Sequence, residues 1–122
     1  MRVRSTAVAM AATLAALVST SCAATLASSP PVVTSLGVRF VLMRAEAKSV
    51  AVAGSFNQWS RSSHPLVRGK PGGLWTVVVP LPPGEHVFMY VVDGTEWVSP
   101  PLAEDYVDDG FGAKNGVVVV RR

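Results

Sequence analysis

Val52-Ala53-Gly54-Ser55-Phe56-Asn57-Gln58-Trp59 ends an apolar stretch in a polar turn and sets a tryptophan at the turn's far end. Pro83-Gly84-Glu85-His86 opens a second stretch, which runs through Val91-Val92 to Asp93-Gly94 and a second tryptophan, Trp97. Asp-Gly between apolar runs is a strong hairpin signal, because both residues tolerate positive φ. Working outward, Gly37 to Met43 alternates, with Val38, Phe40 and Leu42 on one face and Arg39, Val41 and Met43 on the other. That period of two marks a strand. Ser49–Ala53, Leu74–Leu81, Glu85–Val92, Thr95–Val98 and Gly116–Val120 read as further strands, with Gly54 to Ser63 as a long turn. The unbroken valines of the last strand imply burial on both faces. No stretch from 36 to 122 has a helical period. The expectation is an all-β, immunoglobulin-like (early-set) sandwich of about seven short strands.

The 122 residues suit one domain and an extension. Residues 1–22 read as a signal peptide: Arg2 and Arg4 lead into a charge-free run from Ala7 to Val18, shorter than the ~20 residues of a membrane span. Cys22, the single cysteine, follows the small residues Ser19-Thr20-Ser21 and resembles the modified cysteine of a bacterial lipobox. The resemblance implies lipidation at Cys22; ordinary cleavage between Ala23 and Ala27, or an uncleaved anchor, are the alternatives. Each places the domain outside the cytoplasm, in the cell envelope, periplasm or cell surface. Residues 23–35, rich in Ala, Ser, Thr and Pro, have linker composition, which leaves 36–122 as the domain.

Lys plus Arg number 11 against 8 Asp plus Glu, but Arg2 and Arg4 lie in the leader, so the remainder is nearly neutral. With no basic stripe, nucleic-acid binding is not expected. Glu104, Asp105, Asp108 and Asp109 fall in what reads as one solvated acidic loop. No second segment faces it to complete the paired-carboxylate cleft of glycoside hydrolysis. His64 and His86 lack partners at metal or triad spacing, and no nucleophile elbow occurs. No catalytic residue, metal or cofactor is expected.

Trp75, in a valine-rich strand, reads as core. Trp59 lies in a polar turn and Trp97 in a short hairpin strand between Glu96 and Val98, and at both core packing competes with an exposed stacking role. Exposed indoles suit pyranose rings, whose C–H faces pack on an aromatic while the rims need hydrogen bonds. Phe111, flanked by Gly110 and Gly112, either plugs one end of the sandwich or projects. Asn115 either shapes the turn before the last strand or serves a ligand.

Val52 to Trp59, Leu81-Pro82-Pro83-Gly84-Glu85-His86, Val91-Val92-Asp93-Gly94 with Trp97, and Asp108-Asp109-Gly110-Phe111-Gly112 leading to Asn115 resemble, in order and spacing, the family-48 carbohydrate-binding modules. These include the glycogen-binding domain of the AMP-activated protein kinase β subunit, and the resemblance covers residues 36–122. It implies non-catalytic binding of an α-1,4-glucan, polysaccharide or oligosaccharide. Trp59 and Trp97 would be the stacking platforms, Phe111 the protruding apolar contact and Asn115 a hydroxyl-binding residue. Two positions depart: Met89 stands where the kinase-type domain has a lysine, and Ala113 where it has a threonine. These departures feed the rival expectation, a protein-interaction domain that partners a glucan-processing enzyme or envelope protein. Sugar binding predicts Trp59, Trp97 and Asn115 on one exposed face; interaction predicts a wider apolar patch joined by Met89.

Overall fold

The computed structural model describes residues 26–121, which form nine strands and no helix. In chain order these are β1 (Ser29–Thr34), β2 (Gly37–Met43), β3 (Val50–Gly54), β4 (Val67–Arg68), β5 (Leu74–Val79), β6 (Gly84–Val92), β7 (Glu96–Val98), β8 (Asp105–Asp108) and β9 (Lys114–Val120). One sheet runs β1-β2-β5-β4 and the other β3-β6-β9-β8, with β7 also paired to β6. Every pairing is antiparallel. The all-β sandwich therefore stands. The signal-peptide reading of 1–22 and the lipidation of Cys22 lie outside the described residues.

The alternation that marked β2 has its cause in the space between the sheets. Val38, Phe40 and Leu42 are buried there with Val52, Trp75, Phe88, Tyr90, Val92, Val118 and Val120. Full burial of one such side chain is worth ~1.5–3 kcal/mol. Phe88 packs edge-on against Phe40 at 5.0 Å and against Tyr90 at 5.6 Å between ring centroids. The Tyr90 hydroxyl donates to the Val41 carbonyl at 3.3 Å, and burial pushes its pKa well above the ordinary phenol range. Trp75 is core, as its strand implied, and its Nε1 donates to the Arg44 carbonyl at 2.9 Å.

Three strands were not legible in the sequence. Ser29–Thr34, taken from its composition as linker, pairs with β2 as an edge strand, with an irregularity between Ser29 and Val32 that accommodates its prolines. β4 is two residues long, too short for any period. Asp105–Asp108, read as part of an acidic loop, is the edge strand β8: Tyr106 opposes Gly116, and its hydroxyl donates to the Pro100 carbonyl at 2.9 Å. Charged residues are common on edge strands because they discourage further pairing. The four carboxylates thus do not share a loop. Glu104 pairs with Arg121 at 2.8 Å, Asp108 with Lys114 at 3.4 Å, and Asp109 turns into the β8–β9 loop.

The β6–β7 turn carries a titratable tie. Asp93, at φ 53°, accepts the Lys48 and Ser49 amides at 2.7 and 3.1 Å, which holds its pKa below the usual carboxylate value. A depressed folded pKa contributes stability that is complete above the unfolded-chain value and is lost as pH falls through the folded one. Asp93→Asn is expected to lower the urea midpoint at neutral pH, with the difference from wild type shrinking in acid. A difference independent of pH would contradict this account.

Candidate functional site

β6 is the axis of the site. Phe88, Tyr90 and Val92 point into the core, so Met89 and Val91 point to the opposite face of the second sheet. Along one edge of β6 lies β3, with Ala53 opposite Met89 and Ala51 opposite Val91. The other edge is shared: β9 pairs with Gly84–Phe88, and β7 pairs with Tyr90–Val92. Met89 is the residue at the junction. Trp97 stands opposite Val91, and Asn115 precedes Gly116, which stands opposite Phe88. Trp97 and Asn115 are thereby set two β6 residues apart, about 7 Å along the strand, on the outer face.

Trp59 reaches the same face through a loop held by Gly54, Ser55, Phe56 and Asn57. Gly54 is the point of closest approach: a Cβ there would lie 2.4 Å from the Val87 carbonyl and 2.6 Å from the Phe56 ring. The Ser55 amide donates to the Val87 carbonyl at 2.9 Å, while its hydroxyl accepts the Val87 amide at 3.2 Å. Phe56 turns inward and stacks on Phe40 at 5.8 Å. Asn57 is buried, and its side chain is the staple of the loop. Oδ1 accepts the Gly54 amide at 2.9 Å; Nδ2 donates to the Val52 carbonyl at 3.0 Å and to His64 Nδ1 at 2.9 Å.

Gln58 and Trp59 follow at φ 54° and 58°, a left-handed pair that bulky side chains rarely adopt. Such backbone costs ~1–3 kcal/mol per residue and persists only where its surroundings hold it. Asn57 and the Trp59 amide, which donates to the Gly54 carbonyl at 3.0 Å, do the holding here. The sequence marked Trp59 and missed Asn57, although an Asn three residues after a glycine in a turn is the available signal.

The β8–β9 loop closes the site. Asp109 Oδ1 accepts the amides of Phe111 at 2.6 Å and Ala113 at 3.1 Å, and the Asp109 amide donates to the Ala113 carbonyl at 3.0 Å. Gly110 and Gly112, at φ 84° and 90°, supply the left-handed positions on either side of Phe111. The phenyl ring is 94% exposed, so Phe111 projects and does not plug the sandwich. Asn115 lies within β9 and not in the turn before it.

Trp59, Met89, Trp97, Asp109, Phe111, Ala113 and Asn115 line one open groove of about 570 Å³. All four residues marked as binding candidates, Trp59, Trp97, Phe111 and Asn115, thus meet at one place. Trp59 and Trp97 are each 37% exposed, and Met89, buried, forms part of the wall. Asn115 Oδ1 is buried with no hydrogen-bond partner among the described residues. An unpaired buried acceptor costs ~1–3 kcal/mol, and a hydroxyl entering the groove would satisfy it. Two half-exposed indoles, a projecting phenyl and an acceptor without a donor suit a flat ligand with an apolar face and a hydroxyl rim. No group of three or more metal-ligating side chains occurs among the described residues.

A family model described as the glycogen recognition site of AMP-activated protein kinase matches residues 39–122. The chain is also similar to the 1,4-alpha-glucan branching enzyme GlgB of several bacteria. Identity is 42% over 65 residues with that of Pseudomonas syringae pv. syringae, covering 52% of this chain and 9% of the enzyme. It is 43% over 51 residues with that of Burkholderia vietnamiensis, covering 41% and 7%. With that of Bacillus caldolyticus it is 35% over 57 residues, covering 47% and 9%. The matched segment is less than a tenth of each of these relatives.

Proposed function

This chain belongs to the family of the glycogen recognition site of AMP-activated protein kinase, and from that premise we propose that it is a non-catalytic module whose groove binds α-1,4-glucan. The observation that supports this most is the meeting of Trp59, Trp97 and the unpartnered Asn115 Oδ1 around one cavity. Successive glucose rings would stack on Trp59 and Trp97, Phe111 would lie in the curve of the chain, and a glucose hydroxyl would donate to Asn115. An open groove with two platforms suits affinities of about micromolar to millimolar, roughly −8 to −4 kcal/mol. Polymeric glucan would add avidity to each weak site.

Calorimetric titration with maltoheptaose and with a cello-oligosaccharide of similar length tests the reading. α-1,4 links bend a glucose chain whereas β-1,4 links keep it flat, so binding of the first and not the second is expected. Equal binding, or none to either, would sink it.

The presence of Met89 in the wall favours a second reading, in which the groove takes an apolar segment of a protein partner. That reading expects no heat with either sugar.

Export and a lipid anchor at Cys22 complete the proposal, on the strength of the charge-free run Ala7–Val18 and the small residues before the cysteine. Expression in a bacterial host should give a membrane-bound protein whose mass includes acyl chains, and Cys22→Ser should release it from the membrane. An unacylated protein would contradict the anchor and leave the groove's reading untouched.

A further inference from the structure

Two arginines lie against tryptophans in this fold, and they differ in what their charged heads do. Arg68 sits 5.8 Å from the centre of the buried Trp75 ring, and its Nη2 donates to the Ala45 carbonyl at 3.1 Å. That arginine is committed to the scaffold. Arg61 sits 5.6 Å from the centre of the Trp97 ring, which is half exposed on the groove. Arg61 belongs to the Trp59 loop, so it links the segment carrying one indole to the face of the other.

The ion pairs among the described residues are Arg44 with Glu96, Lys114 with Asp108 and Arg121 with Glu104. None engages Arg61. Arg44, tied to the neighbour of Trp97 in sequence, is neutralised by Glu96 at 3.2 Å. The guanidinium of Arg61 therefore stands at the stacking platform with N–H donors still to be used. The ring attracts the cation through its π face, and the planar guanidinium carries five N–H donors beside the indole.

We infer that Arg61 is a specificity-determining residue of the groove, whose guanidinium donates hydrogen bonds to the hydroxyl rim of the glucose stacked on Trp97. The inference rests on the glucan reading above and adds a charged donor to a groove whose lining otherwise offers the Asp109 carboxylate and the Asn115 carboxamide. A charged donor beside Trp97 and the unpartnered Asn115 Oδ1 would together fix the orientation of a sugar that the indoles alone would let slide.

The test compares wild type, Arg61→Met and Arg61→Lys by calorimetric titration with maltoheptaose. Arg61→Met keeps an apolar stem against Trp97 and removes the donors; Arg61→Lys keeps a donor. Arg61 is exposed, so both variants should melt with wild type. Arg61→Met is expected to bind about tenfold more weakly and Arg61→Lys within about threefold of wild type. Arg61→Met binding as tightly as wild type, or more tightly, would overturn the inference: the side chain would then be mere packing, or a cover that the sugar must displace. If wild type itself does not bind, the glucan reading fails first, and the role of Arg61 with it.

Discussion

Trp97→Ala is expected to weaken maltoheptaose binding at least about 30-fold, close to the limit of detection for a site of this openness. Trp59→Ala should do the same. The two indoles are the large flat surfaces of the groove, and a central aromatic that carries a ligand typically costs ~2 kcal/mol or more on truncation. Neither should unfold the domain. Both rings lie outside the core between the sheets, and each is already 37% exposed. Thermal unfolding of each variant beside the titration separates lost contact from lost fold. Loss in one variant alone would mean that a single platform carries the ligand, and affinity unchanged in both would remove the groove from the account.

Asn57→Ala is expected to destabilise the domain by about 2–4 kcal/mol and to weaken binding even at temperatures where it stays folded. The side chain makes three hydrogen bonds in a buried corner, to the Gly54 amide, the Val52 carbonyl and His64. Removing it leaves at least two backbone groups without partners, at ~1–3 kcal/mol each. It also frees Gln58 and Trp59 from their left-handed backbone, so the indole loses its fixed position over the sheet. Urea denaturation measures the first effect and titration with maltoheptaose the second. A loss of under about 0.5 kcal/mol would show that the loop is held by something other than Asn57.

The strands that dominate the core were readable because their residues alternate or form an unbroken apolar run. β2 is the clearest case, with its bounds readable directly from Gly37 and Met43. What escaped was structure decided by tertiary contact. Ser29–Thr34 has the composition of a tether and becomes a strand only because β2 offers it an edge. Asp105–Asp108 looks like solvated loop until Tyr106 finds Pro100 and Gly116.

The site divides in the same way. Trp59, Trp97, Phe111 and Asn115 could be marked as odd residues for their places in the sequence. That they share a groove depends on β7 and β9 both pairing with one edge of β6, and that arrangement has no local signature. Asn57, Asp109 and Arg61 were missed as contributors because their work lies in contacts: two fold a loop by hydrogen bonding to its backbone, and the third rests on a ring 36 positions away.

The central claim, that the face of the second sheet carrying Trp59 and Trp97 holds α-glucan, is most directly tested by affinity electrophoresis in gels with and without glycogen. Wild type should be retarded by glycogen, and the Trp59→Ala, Trp97→Ala double variant, still folded, should run as in the empty gel. Equal mobility of wild type in both gels, or equal retardation of wild type and double variant, would contradict it.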